Sequence, residues 1–347
     1  MSEVRTHHTA RQGGDLRELR EDWHYVDMGT CVNAYGPPPE VRRAVEDLDL
    51  AALRPHPYGA AERFQSLYAD YLEVDPALLT VGRGISEFIR ALAMLFGDRT
   101  AVITPDYTDT IASFPVHLGP PPGTLLETPE LRLRRLLEGM GRYRFVMLSN
   151  PNNPTGIYID SEHLIAACEA NPDCVLIADE AFIDFIAPEE RRSMVHADLE
   201  NLIVLRSPNK LFGIAGIRTG ALFTRNERLR AEIRKVGLNW PLSYVDVHLA
   251  CAAVEARDWA ERTRRQLLAT AAEMEALMAE RFPATLAGVP VHYRFVPTPD
   301  PDAAYRHLLG HGVVVRTFSA SQRGRIPGIR ITAPTKSDFD GITAAFA

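Results

Sequence analysis

Short apolar runs separated by stretches of helical character recur along most of this chain. Ala101-Val102-Ile103-Thr104, Phe145-Val146-Met147-Leu148, Cys174-Val175-Leu176-Ile177-Ala178 and Asn201-Leu202-Ile203-Val204-Leu205-Arg206 read as buried strands, and Arg218-Thr219-Gly220-Ala221-Leu222-Phe223 reads as another. Segments such as Glu87 to Phe96 supply the intervening helices. Strands alternating with helices in this way are the signature of a parallel α/β architecture.

The same pattern divides the chain. Residues 1–22 form a polar arm, residues 47–241 a large domain, and residues 23–46 and 243–347 a small domain. After the breaker Pro241, an alanine-rich, charge-laced run from Ser243 to Arg281 predicts one long or kinked helix joining the domains. Strands are predicted near His292 to Val296, Val313 to Thr317 and Ile329 to Thr332, and Gly119-Pro120-Pro121-Pro122-Gly123 is a loop.

Polar groups cluster where these strands end. Ser149-Asn150-Pro151-Asn152-Asn153-Pro154-Thr155-Gly156 follows one, Asp179-Glu180-Ala181-Phe182 a second and Ser207-Pro208-Asn209-Lys210 a third. Carboxyl ends of strands are where doubly wound sheets bind ligands. A lysine there suits Schiff-base chemistry once an apolar pocket disfavours its ammonium form. Gly84, Ile85 and Ser86 precede the helix beginning at Glu87, where orphan amides and the dipole favour a phosphate.

Taken in order, Gly82-Arg83-Gly84-Ile85-Ser86-Glu87, Asn153-Pro154-Thr155-Gly156, Asp179-Glu180-Ala181-Phe182, Ser207-Pro208-Asn209-Lys210 and Arg218 resemble the motifs of fold-type I pyridoxal-phosphate enzymes. Within that group the chain is similar to class I/II aminotransferases of the histidinol-phosphate type, from about Asn33 to Arg330. The resemblance implies a large domain with a mostly parallel central sheet flanked by helices, plus a smaller α+β domain.

It also implies roles. Lys210 would carry the cofactor and act as base and acid, and Asp179 would pair with the ring nitrogen and keep it protonated. Asn153 would donate to the ring oxygen. Gly84, Ile85, Ser86, Ser207 and Arg218 would cup the phosphate. Tyr107 stands where the family stacks an aromatic ring on the cofactor; a core or surface tyrosine is the competing reading. Arg330 would clamp the substrate carboxylate, with Tyr35 and Asn153 also facing the substrate. Arg316 matches a position that meets a distal acidic group, unless it lies on a solvated strand face.

Three departures bear on the substrate. Phe182 replaces a tyrosine whose hydroxyl reaches the ring oxygen, and its surroundings are closer to the threonine-phosphate decarboxylase pattern. His56 stands where a tyrosine crosses the dimer interface to the partner's phosphate, a job Tyr58 takes only if the loop shifts. Cys31 replaces an asparagine at the start of the substrate-facing segment Cys31 to Pro37.

Composition narrows the partners. The 347 residues carry a net charge of -7 and a pI near 5.9 without a basic stripe, which argues against nucleic acid. The first twenty residues lack an apolar core, and no segment approaches the roughly 18 consecutive apolar residues of a membrane span; a cytoplasmic location is the expectation. Cys31, Cys168, Cys174 and Cys251 have no metal-ligand spacing, so no metal site is expected.

The leading expectation is therefore an aminotransferase acting on an amino compound with a polar or acidic distal group, using a keto acid acceptor, in a homodimer with shared active sites. The alternatives are a decarboxylase of the threonine-phosphate type and a specialised enzyme acting on an arginine derivative.

Overall fold

The computed structural model describes residue 19 and residues 24–282, 284–319 and 324–346. The polar arm lies outside these apart from residue 19. Among the described residues the chain forms twelve strands. They are β1 (Val26–Asp27), β2 (Leu79–Gly82), β3 (Thr100–Ile103), β4 (Val116–Leu118), β5 (Phe145–Ser149), β6 (Val175–Asp179), β7 (Leu202–Arg206), β8 (Gly220–Phe223), β9 (Tyr293–Pro297), β10 (Val313–Val314), β11 (Arg316–Phe318) and β12 (Gly328–Thr332).

Every residue of β3, β5, β6 and β7 is buried, so both faces of these strands need cover. They form the centre of a seven-stranded sheet of order β2-β8-β7-β6-β5-β3-β4, parallel except for β8. Two-residue periodicity sorts their side chains. Val146, Leu148, Leu202 and Val204 face one apolar cluster, shared with Phe64 and Tyr68 of helix Ala60–Leu72 and with Ala250 and Val254 of helix Tyr244–Glu255. Phe145, Met147, Ile203 and Leu205 face another, which helix Ile85–Phe96 covers with Phe88, Ile89 and Leu92.

Strand order sets the position of the site. From β3 the chain steps outward to β4, then returns to the other side of β3 for β5, β6 and β7. The order therefore reverses between β3 and β5, and the crevice beyond their carboxyl ends is a topological switch point.

A second, antiparallel sheet has the order β11-β12-β9, and β1 pairs with β10. The strand read as Val313 to Thr317 is two strands. Val313–Val314 pairs with β1, whereas Arg316–Phe318 pairs with β12, so the chain changes sheets at Val315. The run from Ser243 is likewise two helices, Tyr244–Glu255 and Arg257–Arg281. Ala256 parts them because its ψ of 49° is incompatible with continued α-helical hydrogen bonding. Among the described residues no helix is long and apolar enough to cross a membrane.

Two close backbone approaches hold the site's walls together. A Cβ on Gly220 would meet Gly84 Cα at 2.8 Å, and one on Gly213 would meet the Gly36 carbonyl oxygen at 2.2 Å. Gly213 also has φ of +65°, which disfavours any side chain. Gly213→Ala is therefore expected to destabilise the fold by more than about 1 kcal/mol and to displace the Tyr35–Gly36 segment. A melting temperature equal to that of the parent protein would contradict this packing.

Candidate active site

Asp179 ends β6 and lies between Ser149 on β5 and Leu205 on β7. Its carboxylate is buried and accepts a hydrogen bond from the Ala181 amide at 3.0 Å. Burial pushes its pKa from 3.8 up to about 7, and the nearby Asp106 carboxylate adds to the rise. Asp106 follows β3 and accepts from both the amide and hydroxyl of Ser149, at 2.8 and 3.0 Å, which ties the ends of β3 and β5 together. Behind it, buried Arg132 donates to the same carboxylate oxygen at 2.9 Å.

Lys210 follows β7 and is partly buried. Its carbonyl accepts from the Asn33 amide at 2.9 Å, which docks the Cys31 to Gly36 segment beside it. Burial lowers the Lys210 pKa; Arg330 and Arg218 push the same way, while Cys31 and Asp179 oppose them. A buried ammonium is disfavoured, and the neutral amine is the reactive form.

Arg330, in β12, crosses to the large sheet. It donates to Asn153 Oδ1 and, at 2.8 Å, to the Gly29 carbonyl, while its buried Nε has no hydrogen-bond partner among the described residues. One arginine thereby reaches both the β5 turn and the N-terminal segment. Arg316 lies directly opposite Arg330 in the antiparallel register, so both side chains share a face of the small sheet. Burial, then Arg330, lowers the Arg316 pKa to about 10.

The glycine loop enters helix Ile85–Phe96 with Gly84 at its N-cap and φ of +78°. A Cβ at Gly84 would fall 3.0 Å from Arg218 Nη2, so the exposed Arg218 side chain lies against the helix N-terminus. Ser86 Oγ and Tyr107 Oη both donate to Asp109 Oδ2 at 3.0 Å. Burial and Asp109 raise the Tyr107 phenol to about 12, keeping it protonated. Ser207 Oγ donates to the Thr219 carbonyl at 3.0 Å, joining the Lys210 loop to the start of β8.

Phe182 is buried and packs edge-on to Tyr293 with centroids 5.2 Å apart. Tyr35 is half-buried, and its hydroxyl accepts from the Lys336 amide at 3.4 Å. His56 is not joined to these groups by any hydrogen bond among the described residues. It is exposed and stacks on Trp240, centroids 4.1 Å apart, with exposed Tyr58 edge-on to the same indole.

Sequence reasoning passed over Asp106, Asp109 and Arg325. Asp106 and Asp109 flank Tyr107 in the motif Asp106-Tyr107-Thr108-Asp109, and a pair of acids around a candidate stacking tyrosine was the available signal. Arg325, five residues before Arg330, donates to the Asp106 carbonyl and to Thr108 Oγ1, both at 2.7 Å. Cys31 is buried with Sγ 3.1 Å from Thr332 Oγ1, and burial raises its thiol pKa.

Comparison with known proteins gives the same architecture. The chain is 30% identical over 324 residues to a histidinol-phosphate aminotransferase of Thermococcus gammatolerans, covering 90% of this chain and 88% of the relative. The histidinol-phosphate aminotransferase of Sinorhizobium meliloti, solved with pyridoxal-5'-phosphate, superposes with a TM-score of 0.76 at 21% identity over 92% of this chain and 88% of that one. The L-threonine-O-3-phosphate decarboxylase of Porphyromonas gingivalis has a TM-score of 0.76 at 15% identity, covering 92% and 97%. These structural likenesses establish the fold. The family model for aminotransferase class I and II matches residues 24–340, and the chain belongs to that family.

Proposed function

We propose that this chain is a pyridoxal-phosphate-dependent aminotransferase acting on an amino donor with a polar or acidic far end, of the histidinol-phosphate aminotransferase kind. The observation that carries this reading is the convergence of Lys210, Asp179, Asn153 and Arg330 at the switch point, with Arg330 bonded to Asn153 across the two sheets.

The residues fit the cofactor. Asp179 is a buried carboxylate that accepts from the Ala181 amide, and a cationic ring nitrogen would supply the charged partner that burial calls for. Gly84 leaves room beside Arg218 at a helix N-terminus, an arrangement suited to a phosphate. Pyridoxal phosphate supplies an aldehyde for the donor's amine and a ring that accepts electrons from the donor's α-carbon.

Each side chain then has a task. Asp179, ionised, holds a proton on the ring nitrogen. Lys210 Nζ, disposed to be neutral by burial, takes a proton from the donor's α-carbon and returns it elsewhere. Arg330 turns its unpartnered Nε and its fork to the donor's carboxylate. Tyr107 forms the wall beside Asp109, and Arg316 meets the far end of the donor. A keto acid is the acceptor that restores the starting form. A homodimer with shared active sites belongs to this reading, and the exposed His56, Tyr58 and Trp240 support it as an aromatic surface suited to a second copy, from which His56 or Tyr58 would reach the partner's phosphate site.

Phe182 favours a second reading, decarboxylation. With no hydroxyl at that position, one hydrogen bond to the ring oxygen is missing, and the bond broken at the α-carbon depends on how the donor is oriented. A panel of histidinol phosphate, O-phosphothreonine, glutamate and arginine, mixed stoichiometrically with loaded enzyme and no keto acid, separates the readings by mass spectrometry. Transamination yields pyridoxamine phosphate and a keto product, decarboxylation yields CO2 with the cofactor unchanged, and a rearranged amino acid would point to the arginine-derivative alternative.

Two variants test the assignments. Lys210→Ala is expected to retain the cofactor noncovalently and to lose turnover by roughly 10²- to 10⁴-fold or more; full activity would overturn the lysine's role. Asp179→Asn separates stability from catalysis. The folded-state pKa of about 7 exceeds the ordinary 3.8, so this carboxyl stabilises the fold at low pH and that contribution is lost as pH rises through about 7. At about pH 8 the cofactor-free variant should therefore melt no lower than the parent, with the difference shrinking toward about pH 5. Its turnover when loaded should nevertheless fall, and a variant that is both less stable at pH 8 and fully active would contradict both roles.

A further inference from the structure

A carboxylate stands at the edge of the proposed phosphate cup. Ser86 Oγ and Tyr107 Oη both donate to Asp109 Oδ2, each at 3.0 Å. Ser86 is the second residue of helix Ile85–Phe96, in the turn whose amides lack acceptors within the helix and favour an anion. Asp109 belongs to the short helix Thr108–Ser113, which packs against that helix. It is half-buried and forms no ion pair with an arginine or lysine among the described residues.

The other groups of the cup have different partners. Ser207 Oγ donates to the Thr219 carbonyl, and the Arg218 guanidinium, lying against Gly84, donates to the neutral Ala215 carbonyl at 3.0 Å. Helix end and Arg218 together make a field that favours an anion, and Asp109 is an anion already in contact with it through Ser86.

An anchor for the Tyr107 ring needs no charge. The carbonyl oxygen of an asparagine also has two lone pairs and could accept from both hydroxyls. The negative charge has a separate effect. A phosphate that takes up the Ser86 hydroxyl must draw it away from Asp109 and lie close to a like charge.

We propose that Asp109 competes with the cofactor's phosphate for the N-terminus of helix Ile85–Phe96 and so sets how firmly the chain holds its cofactor. Without cofactor, Asp109 keeps the Ser86 hydroxyl; with cofactor bound, it yields Ser86 and retains Tyr107. The chain's cofactor is therefore exchangeable, because the phosphate bears most of the hold whenever the cofactor is not joined to Lys210. This inference rests on the placement of the phosphate at Gly84, Ile85 and Ser86 under the proposed function.

The test uses the full chain freed of cofactor, as the parent, Asp109→Asn and Tyr107→Phe, with binding of pyridoxal phosphate, pyridoxal and inorganic phosphate measured by calorimetry. Asp109→Asn keeps an acceptor and removes the charge, so pyridoxal phosphate and inorganic phosphate should each bind about tenfold more tightly. Pyridoxal, which lacks the phosphate, should bind as it does to the parent. The gain should shrink as potassium chloride is added, since salt screens a partly exposed pair of like charges. Tyr107→Phe keeps the Asp109 charge and should leave the preference for pyridoxal phosphate over pyridoxal at the parent's value.

Unchanged or weaker phosphate binding in Asp109→Asn, or an equal gain for pyridoxal, would overturn the proposal and leave Asp109 an anchor for the Tyr107 ring. If Asp109→Asn does not fold, as judged by circular dichroism, Asp109→Ser carries the same comparison. Should the parent bind no pyridoxal phosphate while inorganic phosphate still binds the variant more tightly, the placement of the cofactor fails and the competition at the helix end stands.

Discussion

The buried pair of Asp106 and Arg132 underlies the rest of the site. Both side chains are almost wholly excluded from solvent, at 0% and 1% exposure, and Arg132 also pairs with buried Glu127 at 3.3 Å. Removing Arg132 would leave the Asp106 carboxylate buried without its ion-pair partner, a penalty of about 3–5 kcal/mol. The carboxylate also takes both Ser149 donors, fixing the gap between β3 and β5 where strand order reverses. Its backbone presents Tyr107 on one side and a carbonyl to Arg325 on the other.

That pair also shapes the electrostatics of its neighbour. Asp179 is raised first by burial and next by Asp106, so without a cation it is poised near neutrality. A carboxyl held at about 7 gains from any partner that makes its ionised form favourable, and a cationic ring nitrogen in the proposed site would be such a partner. Lys210 is disfavoured as a cation by the same low-dielectric surroundings, with the Arg330 and Arg218 charges adding to the effect. Burial thus raises the carboxyl and lowers the amine, displacing acid and base toward each other.

The small sheet brings three arginines to this arrangement. Arg316, Arg325 and Arg330 all reach the crevice from β11, β12 and the loop between them, around Phe318. The chain passes from one sheet to another at Val315, so Arg316 pairs with β12, directly opposite Arg330, while its neighbours at 313–314 pair with β1.

Much of this was legible in the residues alone. Uniformly apolar runs such as Phe145 to Leu148 and Leu202 to Leu205 identify doubly covered parallel strands, since only burial on both faces tolerates them. The order of glycine loop, Asn153, Asp179, Lys210 and Arg218 identifies the family, because each motif is local and its spacing survives in one dimension. What sequence did not contain was pairing at long range. The 26-residue separation of Asp106 and Arg132, the 219-residue separation of Asp106 and Arg325, and the break at Ala256 depend on which surfaces pack together, and no local propensity encodes them. Electrostatic poise is likewise a tertiary property. Asp179 is an ordinary acid in the chain and acquires its displaced pKa only when folding removes water and brings Asp106 beside it.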